Sequence, residues 1–198
     1  APDAEKVGID IPSDGGAFRR LCTKLCTGGG KTTVMAMLIA WMICNKVTYP
    51  QDKRFTKYVF IVAPGLTVKG RLQVLQTGGD DNYYVQFNIV PIGLMDKLHQ
   101  GKVMITNWQA LAWDSEETIA KRRSVDKRGA KSDEAYTREV LGEMANASNI
   151  LVINDEAHHA WRKNPENKAK LTKEQKEAEQ QATIWISGLD RIHKTRGI

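Results

Sequence analysis

The sequence predicts an α/β fold in which a doubly wound, mostly parallel sheet is covered by helices on both faces, giving three layers. Three observations carry that expectation. Short runs of apolar or β-branched residues recur at 20–26, 58–63, 103–106 and 150–154, each followed by turn or helix signals, as buried parallel strands are. Between the first two, residues 32–45 place Met35, Leu38, Ile39 and Met42 at the spacing of a helix with one buried face. Strand, turn, helix and strand then make a βαβ unit, whose ligands bind beyond the carboxyl ends of the strands.

Taken in order, the run at 20–26 ends in three consecutive glycines, Gly28, Gly29 and Gly30, and the helix begins at once. The run at 58–63 stops at Pro64-Gly65, and the run at 103–106 at Asn107. The last run, Ile150-Leu151-Val152-Ile153-Asn154, leads directly into Asp155-Glu156-Ala157-His158. Two stretches, 121–138 and 162–181, are rich in charge and poor in apolar spacing, so both are expected to be solvated insertions. Within the second, 171–181 has strong helix formers without an apolar stripe, the mark of an exposed helix.

A length of 198 residues suits one domain with a well-buried core. The net charge of +6 permits a polyanionic partner whose attraction falls as salt rises, and a merely soluble basic surface explains it equally well. Cys22, Cys26 and Cys44 form no C-x-x-C pair, and two of them lie in apolar stretches that suit buried reduced thiols, so a cytoplasmic setting is expected. No apolar run is long enough to cross a bilayer. The start at Ala1 and the end at Arg196-Gly197-Ile198 lead us to expect a piece of a longer protein.

The chemistry is expected in two places. In Thr27-Gly28-Gly29-Gly30-Lys31-Thr32-Thr33, glycines let backbone N–H groups turn inward around phosphate oxygens, and the positive end of the following helix adds to their pull. Lys31 would set a cation on the β- and γ-phosphates of ATP, and Thr32 would offer its hydroxyl to Mg²⁺. The strict phosphate-loop pattern has a glycine five positions before Gly30, where this chain has Leu25. At the second place, Asp155 would hold the hydration shell of Mg²⁺, and Glu156 would orient and deprotonate the water that attacks the γ-phosphate. His158 and His159 lack the third ligand of a zinc pattern, and a packed histidine remains the plain reading of His159.

A glycine loop and an Asp-Glu-Ala-His box on two strands of one sheet resemble the first RecA-like P-loop NTPase domain of superfamily-two helicases, and more narrowly the helicase subunit of type III restriction enzymes. Val62-Ala63-Pro64-Gly65-Leu66-Thr67-Val68-Lys69 is similar to motif Ia of that family, Val103-Met104-Ile105-Thr106-Asn107-Trp108 to the Thr-Asn element after it, and 182–198 to the segment leading to motif III. The resemblance implies an ATP-dependent DNA motor, with RNA as the alternative polymer. Pro64, Gly65, Thr67, Lys69, Thr106 and Asn107 would then contact the nucleic-acid backbone, and His158 would couple the nucleotide site to motif III.

It implies as partners a second RecA-like domain, a nuclease domain and a modification methyltransferase subunit. The residues alone also allow Pro64-Gly65 as a strand-ending turn, Thr106-Asn107 as a helix cap, and Trp108 and Trp113 as core rather than base-stacking residues. Rival functions are a type I restriction motor, a repair helicase, or a nucleotide-gated nucleic-acid-binding module with little turnover.

Overall fold

A computed structural model describes residues 21–26, 28–79, 81–113, 132–161 and 172–198. Its centre is a parallel sheet of three strands, β1 (Tyr58–Ala63), β2 (Lys102–Asn107) and β3 (Leu151–Asn154), in the order β2-β1-β3. Val59 is in register with Val103 on one side and Leu151 on the other, so the carboxyl ends of all three strands lie along one edge. The central strand Tyr-Val-Phe-Ile-Val-Ala is apolar at successive positions because both of its faces are covered.

Parity along the strands separates the two layers. Val59, Ile61 and Ala63, with Leu151, Ile153, Val103 and Ile105, pack beneath helix α1 (Lys31–Thr48). Phe60 and Val62, with Met104 and Val152, pack on the opposite side against α5 (Asp133–Leu141) and α6 (Lys173–Arg196). Between these, short helices α2 (Leu66–Arg71), α3 (Tyr83–Gln86) and α4 (Met95–Leu98) connect β1 to β2. The three-layer α/β/α arrangement thus follows from period-two side-chain alternation.

Helix α1 ends where Pro50 makes helical geometry unfavourable for Tyr49, whose φ of −124° has already left the helix. Its buried stripe is Ala36, Ile39, Ala40 and Ile43 rather than the expected Met35, Leu38, Ile39 and Met42. Leu38 is exposed, and Met35 packs only partly against the core. The face is rotated by one position, with Ala36 and Ala40 in the core where Met35 and Leu38 were expected.

Three further expectations change. Residues 21–26 form no strand: Leu21 is 71% exposed, Lys24 interrupts the apolar run, and too little surface is buried to offset the entropy of ordering it. Cys22 and Cys26 are accordingly exposed rather than buried, while Cys44 is half-buried and its thiol is pushed up by burial. Part of the first charged stretch belongs to the fold, since Asp133–Leu141 is helical and buries Tyr136 and Thr137; residues 121–131 lie outside the described residues.

In the second charged stretch, residues 162–171 lie outside the described residues, and 172–180 are almost wholly exposed. They open α6 through a capping box in which the Thr172 hydroxyl accepts from Gln175 N–H and the Gln175 side chain accepts from Thr172 N–H. This polar half is continuous with the buried half carrying Trp185, Ile186, Leu189 and Ile192.

Charged groups on α5 and α6 join the two helices. Arg191 Nε donates to Asp133 Oδ1 at 2.6 Å, and Arg196 grips Glu134 with two nitrogens at 2.6 and 2.8 Å. Below them the Tyr136 hydroxyl donates to Leu111 O at 2.7 Å, and Gly188 sits so close that a Cβ there would lie 2.6 Å from that hydroxyl. Trp108 and Trp113 pack against the same core, with the Arg191 guanidinium 5.2 Å from the Trp113 ring. Among the described residues, no helix is long and apolar enough to cross a membrane.

Candidate functional site

The strand register brings the ends of β1, β2 and β3 together, and the Asp155 amide extends the ladder by donating to Val62 O at 3.0 Å. Asp155 and Glu156 therefore leave the sheet beside the central strand. The glycine loop approaches the same edge from the α1 side. Gly28 and Gly30 both have φ of +77°, a left-handed backbone that residues with a Cβ rarely adopt. Gly29 donates to Cys26 O at 3.1 Å, and a Cβ on it would lie 2.9 Å from the Cys26 thiol.

Gly30 caps α1 without a side chain, and no acidic residue occupies the first turn. The first helical bond is Val34 N–H to Gly30 O, so the amides of Lys31, Thr32 and Thr33 precede the helical ladder. With the helix dipole they form an opening suited to an anion. Thr27 lies outside the described residues.

Across this opening Lys31 Nζ donates to Glu156 Oε1 at 3.2 Å, joining residues 125 positions apart. Each side chain is more than a third exposed, so solvent screens the pair and it adds little stability. Glu156 has φ of 52° and ψ of 48°, an unusual geometry for a residue with a long side chain and one that recurs where function over-determines a backbone. Its other oxygen lies 3.4 Å from His158 Nδ1, and the imidazoles of His158 and His159 lie with centroids 4.1 Å apart and planes tilted by 38°.

Asp155 is the more enclosed carboxylate. Burial, reinforced by the charge of Glu156, pushes its carboxyl above the ordinary value, against the opposing Glu156 amide and the charges of Lys31 and Arg71. The Glu156 amide donates to Asp155 Oδ1 at 3.1 Å. A hard cation favours a partly desolvated carboxylate, and Mg²⁺ takes one or two carboxylates, water and phosphate rather than an all-protein cage. The Thr32 hydroxyl and the Asp155 carboxylate are oxygens of the kind such an ion takes. Among the described residues, no cluster of three His, Cys, Asp or Glu side chains could hold a metal.

The remaining expected residues divide. Pro64 and Gly65 lie half-buried after β1, and Thr67 and Lys69 follow in α2, which buries none of its own residues. Asn107 ends β2 and donates to Gln109 Oε1 at 2.6 Å. Thr106 is 6% exposed, so its side chain belongs to the interior and is poorly placed to touch a polymer. Ile105 and Thr106 are buried in succession because both faces of the sheet are covered.

The contact that sequence reasoning missed lies behind the carboxylates: the Trp185 indole N–H donates to Asn154 Oδ1 at 2.9 Å. The available signal was an asparagine ending an otherwise apolar strand. Compared with known proteins, residues 14–187 match a family model described as type III restriction enzyme, res subunit. No curated protein and no solved structure matches the chain.

Proposed function

Since the chain belongs to the family of type III restriction enzyme res subunits and has its RecA-like P-loop fold, we propose that it binds Mg-ATP at the carboxyl edge of the sheet and couples its hydrolysis to movement along DNA. The observation that carries this reading is the Lys31–Glu156 contact, which joins the anion-seeking end of α1 to the acidic end of β3. A lysine and a carboxylate facing one another beside a glycine loop are the pair that a phosphoryl group between them would use, the lysine for its charge and the carboxylate as base.

On this reading the amides of Gly28, Gly29 and Gly30, with those at the start of α1, hold the phosphate oxygens. Lys31 leaves Glu156 for the β- and γ-phosphates, which frees the carboxylate to accept a proton from water. That water adds to the γ-phosphorus as the bond to the β-γ bridging oxygen breaks, giving ADP and phosphate. Mg²⁺, held through Thr32 and Asp155, would neutralise charge on the phosphates. Thr33 is proposed to bind the nucleotide with the loop, and His158, against Glu156, to serve coupling.

Pro64, Gly65, Thr67, Lys69 and Asn107 lie on the same edge and are proposed to meet the nucleic-acid backbone; such contacts position a strand and carry little sequence information. Thr106 would support that turn from within. A second RecA-like domain, a nuclease domain and a modification subunit are proposed partners, the first as the source of the arginine that stabilises transition-state charge.

Titration calorimetry with Mg-ATP on the protein and on Lys31→Ala, followed by turnover with and without duplex DNA or RNA, tests the reading. Binding that disappears in Lys31→Ala, with turnover raised by DNA, is the expected result. Equal binding by both proteins refutes it, and lysine-dependent binding that changes nucleic-acid affinity without turnover favours a nucleotide-gated module instead.

A further inference from the structure

Helix α6 and strand β3 are joined at both ends of the strand. At its start, Asn149 N–H donates to Arg196 O at 3.0 Å and Ile150 N–H donates to Gly197 O at 3.1 Å. At its end, Asn154 Oδ1 accepts from Trp185 Nε1 at 2.9 Å. β3 itself spans roughly 10 Å at about 3.3 Å per residue, and the helix from Trp185 to Arg196 roughly 16 Å at about 1.5 Å per residue, the difference being taken up by the turn at Asn149, whose φ is 55°. With bonds before the strand and at its last residue, the helix is a strut fastened on either side of β3.

β3 needs such a strut, because among the described residues its only strand neighbour is β1. Parity gives the Asn154 joint its leverage. Position 154 shares the α6 face with Val152, while the next position begins the turn carrying Asp155 and Glu156 toward Lys31 on the α1 side. Trp185 is fully buried, so its N–H must find an acceptor inside the protein, and Asn154 supplies it. An asparagine in a four-residue strand otherwise made of Leu, Val and Ile breaks the local preference and has this contact as its return.

We infer that Asn154 and Trp185 are positioning residues through which α6 sets the placement of Asp155 and Glu156. This rests on the ATP-hydrolysing reading of the site. A displacement of α6, whose exposed polar half at 173–181 is open to a partner, would then be felt at the carboxylates without contact with nucleotide.

Three variants test the inference in the full chain: Trp185→Phe, Asn154→Val and the pair together. The expected result is a fall in kcat of about tenfold in each single variant, with KM for ATP within about twofold of the parent and the double variant no worse than either single one. Hydrogen exchange should quicken at the amides of Asp155 and Glu156 while β1 keeps its protection. Folded variants with unchanged kcat and unchanged exchange overturn the inference, as does a double variant whose loss is the sum of the singles. If the parent itself lacks Lys31-dependent turnover, the hydrolysis reading fails separately, and unchanged exchange at Asp155 and Glu156 in Asn154→Val then overturns the positioning role as well.

Discussion

Replacing Gly188 by alanine probes the tightest contact between α6 and the layer beneath it. A Cβ at this position would lie 2.6 Å from Tyr136 Oη, 2.8 Å from Leu111 Cβ and 3.2 Å from Leu111 O, against atoms that are buried and already bonded to one another. Overpacking of this kind costs about 1–3 kcal/mol. Displacing the tyrosine hydroxyl from Leu111 O adds about 0.5–1.5 kcal/mol. Against this, alanine is favoured over glycine inside a helix by about 1 kcal/mol. The net expectation is destabilisation by about 0.5–3.5 kcal/mol, a fall in Tm of roughly 1–14 °C for a chain of this size.

Urea and thermal unfolding followed by circular dichroism would measure it. Tyr136→Phe removes the atom nearest the new methyl, so it should recover part of the loss when combined with Gly188→Ala while costing stability alone. A Gly188→Ala protein as stable as the parent would refute the close approach. Strictly additive effects of the two substitutions would show that the hydroxyl is not the obstacle.

Glu156→Gln keeps the shape of the side chain and removes its charge. Because the Lys31–Glu156 pair is more than a third exposed, unfolding free energy should change by less than about 1 kcal/mol. ATP turnover should fall by about 10²–10⁴, the typical worth of a general base, with nucleotide binding kept, and retained turnover would remove Glu156 from that role. Glu134 makes a pH prediction. Hydrogen bonds from Arg196 and Arg138 hold its carboxyl down to about 2 from an ordinary 4.5, so its contribution is complete above 4.5 and is lost as pH falls toward 2. Acid titration of stability should therefore be shallower in Glu134→Gln over that window, and an unchanged slope would refute the pairing.

The three strands of the sheet were legible because each is a run of apolar residues bounded by a turn, and burial on both faces leaves no other arrangement for such runs. The glycine loop and the Asp155-Glu156 pair were legible because their chemistry dictates residue type at fixed spacing. The supposed strand at 20–26 was misread because apolar content alone does not report whether a neighbour exists to pair with it. The stripe of α1 was misread by one position because Ala36, Ile39, Ala40 and Ile43 keep the same helical spacing, and periodicity does not choose between two stripes one position apart. Charge hid the entry of Asp133–Leu141 into the core, since Arg191, which binds Asp133, and Arg196, which joins nearby Arg138 on Glu134, lie about sixty residues away.

By itself, the sequence determined the fold class and the parallel strands and singled out the candidate groups of the site, because periodicity and motif spacing are local properties of the chain. Only the tertiary structure decided that Lys31 meets Glu156, that Thr106 turns inward, and that Trp185 holds Asn154. Each of those depends on strand register and on the distance between layers, and these are set by contacts between residues far apart in the chain, which no local pattern encodes.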